Sequence, residues 1–311
     1  MPIRIPDSLP ATATLESENI FVMTEYRALH QDIRPLNLLI LNLMPTKIVT
    51  ETQFLRKLSN TPLQIRVELL QTASYQSTHT DASHLDSFYT TFDQIKDKTY
   101  DGMIITGAPL AFVPWEEVEY WDELCRIMDW TTTHVHSTMH VCWGAFAGLY
   151  YHYGVPKVLR DKKLFGVYPH SPVPAKKQSP LFRGLDDVFY VPQSREIELR
   201  EADILKVPEL ELMATSPEAG VFAVKSKDNR RFFLTGHGEY DADTLANEYW
   251  RDKNKGLDID LPEHYFPNDD PTQPPVVNWR SAGQLIYNNW LNYYVYQTTP
   301  YDLNKLSETE K

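Results

Sequence analysis

The sequence predicts an α/β protein with an open, mostly parallel sheet flanked by helices, an N-terminal arm and a C-terminal helical cap. Two short, nearly continuous apolar runs, PLNLLILNLMP at 35–45 and YDGMIITGAP at 100–109, are typical of strands buried on both faces. The segment TKIVTETQFLRKLS at 46–59 instead carries apolar residues at helical spacing. Strands that alternate with such helices indicate parallel βαβ units, and 311 residues suffice to bury a large core.

The remaining elements follow from the same patterns in chain order. Residues 1–34 lack a sustained period and are expected to form an irregular arm packed on the core. The first half then predicts a strand at 64–72, a helix at 81–100, an amphipathic helix at 115–134, a strand ending before Cys142 and a helix after it.

The second half of the chain is less regular. It predicts strands and hairpins within 178–200 and 210–240, a helix at 241–256 capped by Asp241 or Asp243, an ordered proline-rich loop at 265–277 and a helix at 278–300. We therefore expect one α/β domain over residues 35–297, followed by a tail at 298–311.

Composition excludes several classes of function. A net charge of −12 without a Lys/Arg block argues against nucleic acid or an anionic membrane as the partner. Neither a signal peptide nor an apolar stretch of membrane-spanning length is apparent. Two cysteines are too few for a disulfide framework, so a cytoplasmic protein is expected.

Cys142 lies in HSTMHVCWGAFAGLYYHYG at 136–154, where a buried strand turns sharply into a helix. At the carboxyl end of a parallel strand, such a turn exposes a side chain above a helix N-terminus, which favours a thiolate. The small residues after Cys142 allow the tight geometry of a nucleophile elbow. The alternative is that Cys142 is a small buried hydrophobe.

A nucleophile requires a base, and the best candidate is His237 in FFLTGHGEYDADT. It lies on a glycine-flanked loop after a strand, and Glu239 is close enough in sequence to hold its tautomer. An ordinary surface turn is the alternative. Backbone amides at Gly107, in TGAP, and at Trp143 are candidates for an oxyanion hole, although TGAP is equally consistent with a plain βα turn.

Other chemistries have little support. His134, His136 and His140 crowd near Cys142, but their spacing and the two cysteines do not suit a zinc site, so no metal is expected. Neither a Walker A nor a GxGxxG pattern is present. Cys125 lies on the apolar side of its helix and is expected in the core.

The whole chain resembles the homoserine O-acyltransferases of the succinyl and acetyl type, a branch of the class I glutamine-amidotransferase-like superfamily. The motifs that carry the resemblance run from MPIRIPDSLPA and ENIFVM through DGMIITGAP, VEYW and VCWGA to TGHGEYDADTLA and NWLNYYVYQ. It implies a flavodoxin-like sheet, the first committed step of methionine biosynthesis, a homodimer, and an acyl-CoA co-substrate without a bound cofactor.

The resemblance also implies roles for individual residues. Cys142 would carry the acyl group as a thioester, His237 would be the general base and Glu239 would orient it. Further positions match by motif: Lys163, Ser194 and Arg251 for amino-acid substrate binding, Lys47 for a donor contact and Ala111 for acyl-donor specificity. Arg251 suits a substrate carboxylate because a guanidinium binds it bidentately.

Three positions depart from the family pattern: Phe146 replaces the usual glutamine, Gly238 the usual proline, and Ala111 the usual glycine or glutamate. The nucleophile, base and orienting residue are unaffected, but substrate identity is open. L-homoserine is favoured over L-serine as acceptor, and acetyl-CoA over succinyl-CoA as donor. Serine O-acetylation feeding cysteine synthesis, a glutaminase-type cysteine hydrolase, and a catalytically silent binding module are the alternatives.

Overall fold

The computed structural model describes residues 3–6, 9–17, 23–24, 35–74 and 80–300. Its strands, numbered along the chain, are β1 Ile3–Ile5, β2 Met23–Thr24, β3 Leu36–Leu41, β4 Ile65–Leu70, β5 Tyr89–Thr90, β6 Tyr100–Ile105, β7 Val135–Val141, β8 Val158–Pro172, β9 Phe189–Glu198, β10 Leu210–Ser216, β11 Gly220–Ser226 and β12 Arg231–Leu234. The α-helices are α1 Pro10–Ser17, α2 Lys47–Ser59, α3 Ala82–Phe88, α4 Phe92–Ile95, α5 Trp121–His134, α6 Trp143–Tyr153, α7 Glu201–Leu205, α8 Thr244–Asn254 and α9 Arg280–Asn289.

The described strands form one sheet in the order β2-β1-β4-β3-β6-β7-β12-β11-β10-β8-β9, with β5 paired to β4. Every pair from β2 to β12 is parallel, whereas β12, β11, β10, β8 and β9 pair antiparallel. The predicted open, mostly parallel α/β sheet is confirmed. The change from parallel to antiparallel pairing occurs at β12, next to the strand that precedes Cys142.

The apolar run at 35–45 explains why helices cover both faces of the sheet. In β3, Leu38 and Ile40 enter one apolar cluster, whereas Leu39 and Leu41 enter another on the opposite face. The first cluster includes side chains of α2 and α9, and the second includes those of α5 and α6. A strand buried on both faces therefore explains the lack of polar alternation in this run.

The prediction of one helix over 81–100 is wrong. Helix α3 ends at Phe88, and Tyr89 pairs with Leu69 as part of the short strand β5. The Tyr89 phenol donates to Glu51 at 2.8 Å, and the Thr91 amide donates to Gln94 Oε1 at 2.8 Å at the start of a separate helix. Tertiary contacts and local capping therefore override the continuous helical pattern.

Strand β8, which the sequence did not predict, is fifteen residues long and pairs with β9 through a register shift between Leu159 and Leu164. Its first half is charged and largely exposed, and its second half is buried. Gly166 has a φ of 152°, and a Cβ there would lie 2.3 Å from the Glu263 carbonyl oxygen. This mixture of charge, glycine and proline hides the period-2 signal.

The ends of the chain differ in part from expectation. Residues 10–17 form a helix rather than an irregular arm, and Leu9, Ala11 and Leu15 are buried in the first apolar cluster. Helix α8 begins after Asp243, one of the two predicted caps. Helix α9 continues as a π-helix at Trp290–Tyr296, and residues 301–311 lie outside the described part. The predicted boundaries at 34 and 297 stay a prediction.

The longest α-helix among the described residues, α5, has 14 residues. None of the described helices combines the length and the apolar character that a membrane span requires.

Candidate active site

Three neighbouring parallel strands end at one edge of the sheet and bring the predicted nucleophile and base together. Val141 of β7 is level with Leu234 of β12, and His140 is level with Ile105 of β6. The Cys142 amide donates to the Leu234 carbonyl at 2.7 Å, so the thiol-bearing turn is joined to the strand that leads to His237. The carboxyl ends of parallel strands are where open α/β sheets bind ligands.

Cys142 occupies a strained turn between β7 and α6. Its φ of 50° and ψ of −124° place a non-glycine residue in a region that L side chains rarely adopt. Gly144 allows the helix to start so close to β6, because a Cβ there would lie 2.5 Å from the Thr106 carbonyl oxygen. The geometry matches the predicted nucleophile elbow.

His237 and Glu239 form a buried pair beside the thiol. The imidazole Nδ1 lies 2.6 Å from Glu239 Oε1, and the thiol of Cys142 is close enough to affect the pKa of the imidazole. The Tyr287 phenol donates to Glu239 Oε2 at 3.3 Å, and His237 and Glu239 are both buried. Cys142, His237 and Glu239 therefore lie in series, an arrangement called the relay below, and a carboxylate in this position can fix the tautomer of an imidazole that acts as a base.

The electrostatics of this relay favour the protonated form of the imidazole. Burial by itself would lower the pKa of His237, but the charges of Cys142 and Glu239 and their hydrogen bonds raise it to about 10. Below that pH the imidazole is protonated. A thiolate beside an imidazolium is the reactive form of a cysteine nucleophile.

Gly238 separates the base from its carboxylate and packs directly on α9. A Cβ at Gly283 would lie 2.3 Å from the Gly238 carbonyl oxygen, and one at Gly238 would lie 3.0 Å from the Gly283 Cα. Two facing glycines therefore allow the helix to approach the turn. One helical turn beyond Gly283, Tyr287 then reaches Glu239.

Two backbone amides near Cys142 have the features expected of an oxyanion hole. A Cβ built on Gly107 would lie 3.2 Å from Cys142 Cβ, 3.6 Å from Sγ and 3.7 Å from the Trp143 nitrogen. Within the described ranges, neither the Gly107 nor the Trp143 amide donates a backbone hydrogen bond. Both amides therefore remain available to an oxyanion next to the thiol.

A second cluster of charged residues converges on Glu248 of α8. Lys163 Nζ from β8 lies 2.5 Å from Glu248 Oε1, and the Ser194 hydroxyl from β9 lies 2.9 and 3.0 Å from the two carboxylate oxygens. Arg251 Nη2 lies 3.8 Å from Glu248 Oε1. The structure thus brings together the three residues predicted to bind the amino-acid substrate, with a carboxylate at their centre.

Arg251 is held by a neighbour in a way the sequence did not predict. Its Nε and Nη2 donate to the two oxygens of Asp252 at 2.6 and 2.8 Å, and these bonds raise the pKa of the guanidinium. One edge of the planar guanidinium group is therefore occupied. The expected bidentate contact with a substrate carboxylate would require the other edge, formed by Nη1 and Nη2.

The two residues predicted to contact the acyl donor lie on different elements, Lys47 in α2 and Ala111 in the loop after β6. Lys47, at the start of α2, is buried and donates to the Asn42 carbonyl; burial lowers its pKa to about 8 despite the charge of Glu51. Its hydrogen bonds do not join it to Cys142. Ala111 is buried in the loop after β6, and Trp143 Nε1 ties that loop to the elbow by donating to the Leu110 carbonyl at 3.2 Å.

The other residues considered in the sequence analysis pack against, or hydrogen-bond to, residues outside the relay and the charged cluster. Phe146 is buried in the second apolar cluster, and Cys125 is partly buried against the same cluster. His136 hydrogen-bonds Thr298 at 2.8 Å, and His140 stacks on Phe233. A group with possible metal-ligand spacing within the described ranges is Glu218, Glu263 and His264, all exposed. Exposed acidic groups of this kind are common without a bound ion, so this group does not indicate a metal site.

Sequence reasoning missed Glu248, Tyr240 and Tyr287. Glu248 had a weak signal, since it precedes Arg251 by three residues and so shares a helix face with it. Tyr240 follows Glu239 directly and stacks on His237, with ring centroids 4.0 Å apart. Tyr287 is 48 residues from Glu239, and nothing in its local sequence indicates the contact.

The comparison with protein families gives a match over nearly the whole chain. The family described as homoserine O-succinyltransferase matches residues 2–301. The chain belongs to this family. It is therefore an acyltransferase of the homoserine O-acyltransferase group.

Similar proteins agree with this assignment. A homoserine O-acetyltransferase of Acetivibrio thermocellus is 56% identical over 98% of this chain and 100% of its own length. One of Geobacillus kaustophilus is 58% identical over 97% of this chain and 99% of its own length. Among solved structures, a glutamine amidotransferase of Thermotoga maritima aligns with a TM-score of 0.56 at 12% identity, covering 85% of this chain and 100% of its own. That similarity confirms the predicted class I glutamine-amidotransferase-like fold.

Proposed function

We propose that this homoserine O-acyltransferase family member transfers an acetyl group from acetyl-CoA to the hydroxyl of L-homoserine through a thioester on Cys142. The observation that carries the proposal is the Cys142–His237–Glu239 relay together with the charged cluster on Glu248. Relatives named homoserine O-acetyltransferase, more than half identical over nearly their full length, support the choice of substrates.

In the first half-reaction, the Cys142 thiolate attacks the carbonyl carbon of the acyl-CoA. The amides of Gly107 and Trp143 stabilise the oxyanion, and the protonated His237 gives its proton to the departing CoA sulfur. This exchanges one thioester for another, so it is nearly isoenergetic. CoA leaves before the acceptor reacts, which makes the mechanism ping-pong.

Acylation changes His237 from an acid into a base. Once Cys142 is a neutral thioester, one of the two charges that raise the pKa of His237 is absent. The imidazole therefore loses its proton more readily and accepts the proton of the acceptor hydroxyl. The alkoxide attacks the thioester, the O-acyl amino acid forms, and Cys142 is again a thiolate.

The charged cluster suits the two ionic groups of an α-amino acid. We propose that Glu248 receives the ammonium group, and that Arg251 and Lys163 receive the carboxylate. In the structure Lys163 and Ser194 already contact Glu248. A bound amino acid therefore replaces internal contacts with its own, which limits the cost of desolvating the carboxylate.

Replacing Glu248 with glutamine tests this placement. We expect the acceptor KM to rise by about 10- to 100-fold, since a charge-assisted hydrogen bond to an ammonium group contributes ~1.5–3 kcal/mol. The rate constant for Cys142 acylation, measured by stopped-flow release of CoA without acceptor, should change far less. Glu201→Gln on exposed α7 is the control. An unchanged acceptor KM would remove Glu248 from the site.

The donor choice is proposed to depend on Ala111. The hydrogen bond from Trp143 to the Leu110 carbonyl joins the loop of Ala111 to the elbow, and this supports a contact between Ala111 and the acyl group. An uncharged alanine does not repel the carboxylate of a succinyl group. Succinyl-CoA should therefore be accepted to some extent. We propose acetyl-CoA as the donor in the cell because relatives named homoserine O-acetyltransferase are more than half identical to this chain.

Substituting Ala111 with glutamate should reduce succinyl transfer by at least about tenfold while acetyl transfer persists. A like charge beside the succinyl carboxylate costs more than ~1.4 kcal/mol. The measurement is the ratio of kcat/KM for the two donors. The matched control is Phe112→Glu, which introduces the same charge at the next residue, whose side chain is exposed. An unchanged ratio in Ala111→Glu would show that this residue does not contact the acyl tail.

The serine and glutaminase alternatives are tested by one matrix of measurements. Acetyl-CoA and succinyl-CoA are each combined with L-homoserine and L-serine, and glutamine hydrolysis is assayed in parallel. The two acceptors differ by one methylene group, which a pocket distinguishes by only ~1–3 kcal/mol, so the comparison has to be quantitative. A higher kcat/KM for serine would reassign the enzyme to serine acetylation. Steady glutamine hydrolysis would favour the hydrolase. We propose a cytoplasmic homodimer that acts on small molecules.

A further inference from the structure

The proposed mechanism assigns no role to Tyr240, a polar ring next to the imidazole of His237. Tyr240 lies face to face with His237, with ring centroids 4.0 Å apart and an interplanar angle of 13°. Its backbone is fixed at both ends: the amide donates to the His237 carbonyl at 3.5 Å, and the carbonyl accepts from Trp279 Nε1 at 3.1 Å. The ring is therefore held in a defined position against the base.

The phenol of Tyr240 lies within the electrostatic influence of both the nucleophile and the charged cluster. Burial raises its pKa well above the ordinary value; the charges of Glu248 and Cys142 raise it further, whereas that of Arg251 lowers it. These groups are close enough to act on the hydroxyl. Tyr240 thus adjoins both the thiol and the proposed acceptor-binding residues.

The hydroxyl has no partner of its own within the described part of the chain. Trp279 and His237 bond the Tyr240 backbone, and the ring packs against the apolar cluster of Phe165, Tyr249 and Trp279. Tyr240 is only partly buried, so its hydroxyl is open to a molecule that binds in the site. A bound ligand with an oxygen acceptor would supply that partner.

We propose that Tyr240 is both an acceptor-binding residue and a positioning residue for His237. Its hydroxyl donates a hydrogen bond to an oxygen of the hydroxy amino acid, between the Glu248 cluster and the thioester. Its ring holds the plane of the imidazole, and the face of an aromatic ring also favours the protonated form. This inference rests on the proposed function.

Two substitutions separate the two roles. Tyr240→Phe keeps the stacked ring and removes the donor, so we expect the acceptor KM to rise about 5- to 20-fold while Cys142 acylation changes less than about threefold. Tyr240→Leu also removes the ring, so both half-reactions should slow by at least about tenfold. Tyr249→Phe, buried in the adjoining apolar cluster, is the control. Thermal unfolding of each variant checks folding.

The measurements are stopped-flow release of CoA for the first half-reaction and steady-state KM and kcat with L-homoserine and L-serine for the second. An unchanged acceptor KM in Tyr240→Phe overturns the binding role, whether or not Tyr240→Leu folds. Equal acylation rates in Tyr240→Leu and Tyr240→Phe overturn the positioning role. Should the wild-type enzyme form no acyl adduct with acetyl-CoA alone, the proposed function fails independently of Tyr240.

Discussion

Replacing Cys142 with alanine should abolish the acyl-enzyme and reduce turnover by at least about 10⁴-fold. The second cysteine of the sequence, Cys125, lies on α5 outside the relay, so the thioester route is lost and only binding and oxyanion stabilisation remain. A 10⁴-fold loss corresponds to about 5.5 kcal/mol of transition-state stabilisation. Intact-mass analysis after incubation with acetyl-CoA alone should show one acetyl adduct on the wild-type protein and none on Cys142→Ala.

The second cysteine provides the matched control. Burial, with the charges of Asp122 and Asp129, raises the pKa of the Cys125 thiol to about 11, so it is a poor nucleophile at neutral pH. Cys125→Ala should therefore keep both the adduct and the turnover. An adduct that persists in Cys142→Ala, or active wild-type enzyme without any adduct, would contradict a covalent route through Cys142.

The parts of the fold that the sequence predicts are those in which one local pattern decides the structure. Strand β3 is apolar throughout because both of its faces are buried, and α5 shows one apolar stripe because only one side meets the core. The long β8 carries neither signal. Its charged first half lies at the surface, and Gly166 is required by a contact with Glu263, almost a hundred residues away.

The same distinction applies to the site. A strand-to-helix turn is predicted by three consecutive residues, Cys142, Trp143 and Gly144. The contact of Tyr287 with Glu239 depends instead on Gly238 facing Gly283, a relation between distant segments. The resemblance to a family indicated Lys163, Ser194 and Arg251, but their convergence on Glu248 required the three-dimensional arrangement of β8, β9 and α8.

Replacing Glu239 with glutamine should slow both half-reactions by about 10²- to 10³-fold. The amide is close in size to the carboxylate but carries no charge, so it no longer stabilises the imidazolium and no longer fixes the tautomer. Tyr287→Phe removes only a donor to the carboxylate at 3.3 Å and leaves its charge, so it should cost less than about fivefold. A loss in Glu239→Gln no greater than that in Tyr287→Phe would mean that Glu239 acts only through packing.

The pH dependence of Cys142 acylation provides a second test of the effect of Glu239→Gln. His237 must be protonated to give a proton to CoA, and its raised pKa keeps it protonated until the pH approaches about 10. The single-turnover rate of CoA release should therefore fall as the pH rises through that value. Because the charge of Glu239 contributes to the raised pKa, the fall should begin at lower pH in Glu239→Gln. If the pH at which the rate falls is the same in Glu239→Gln as in the wild type, and only the rate is lower, Glu239 has a purely orienting role.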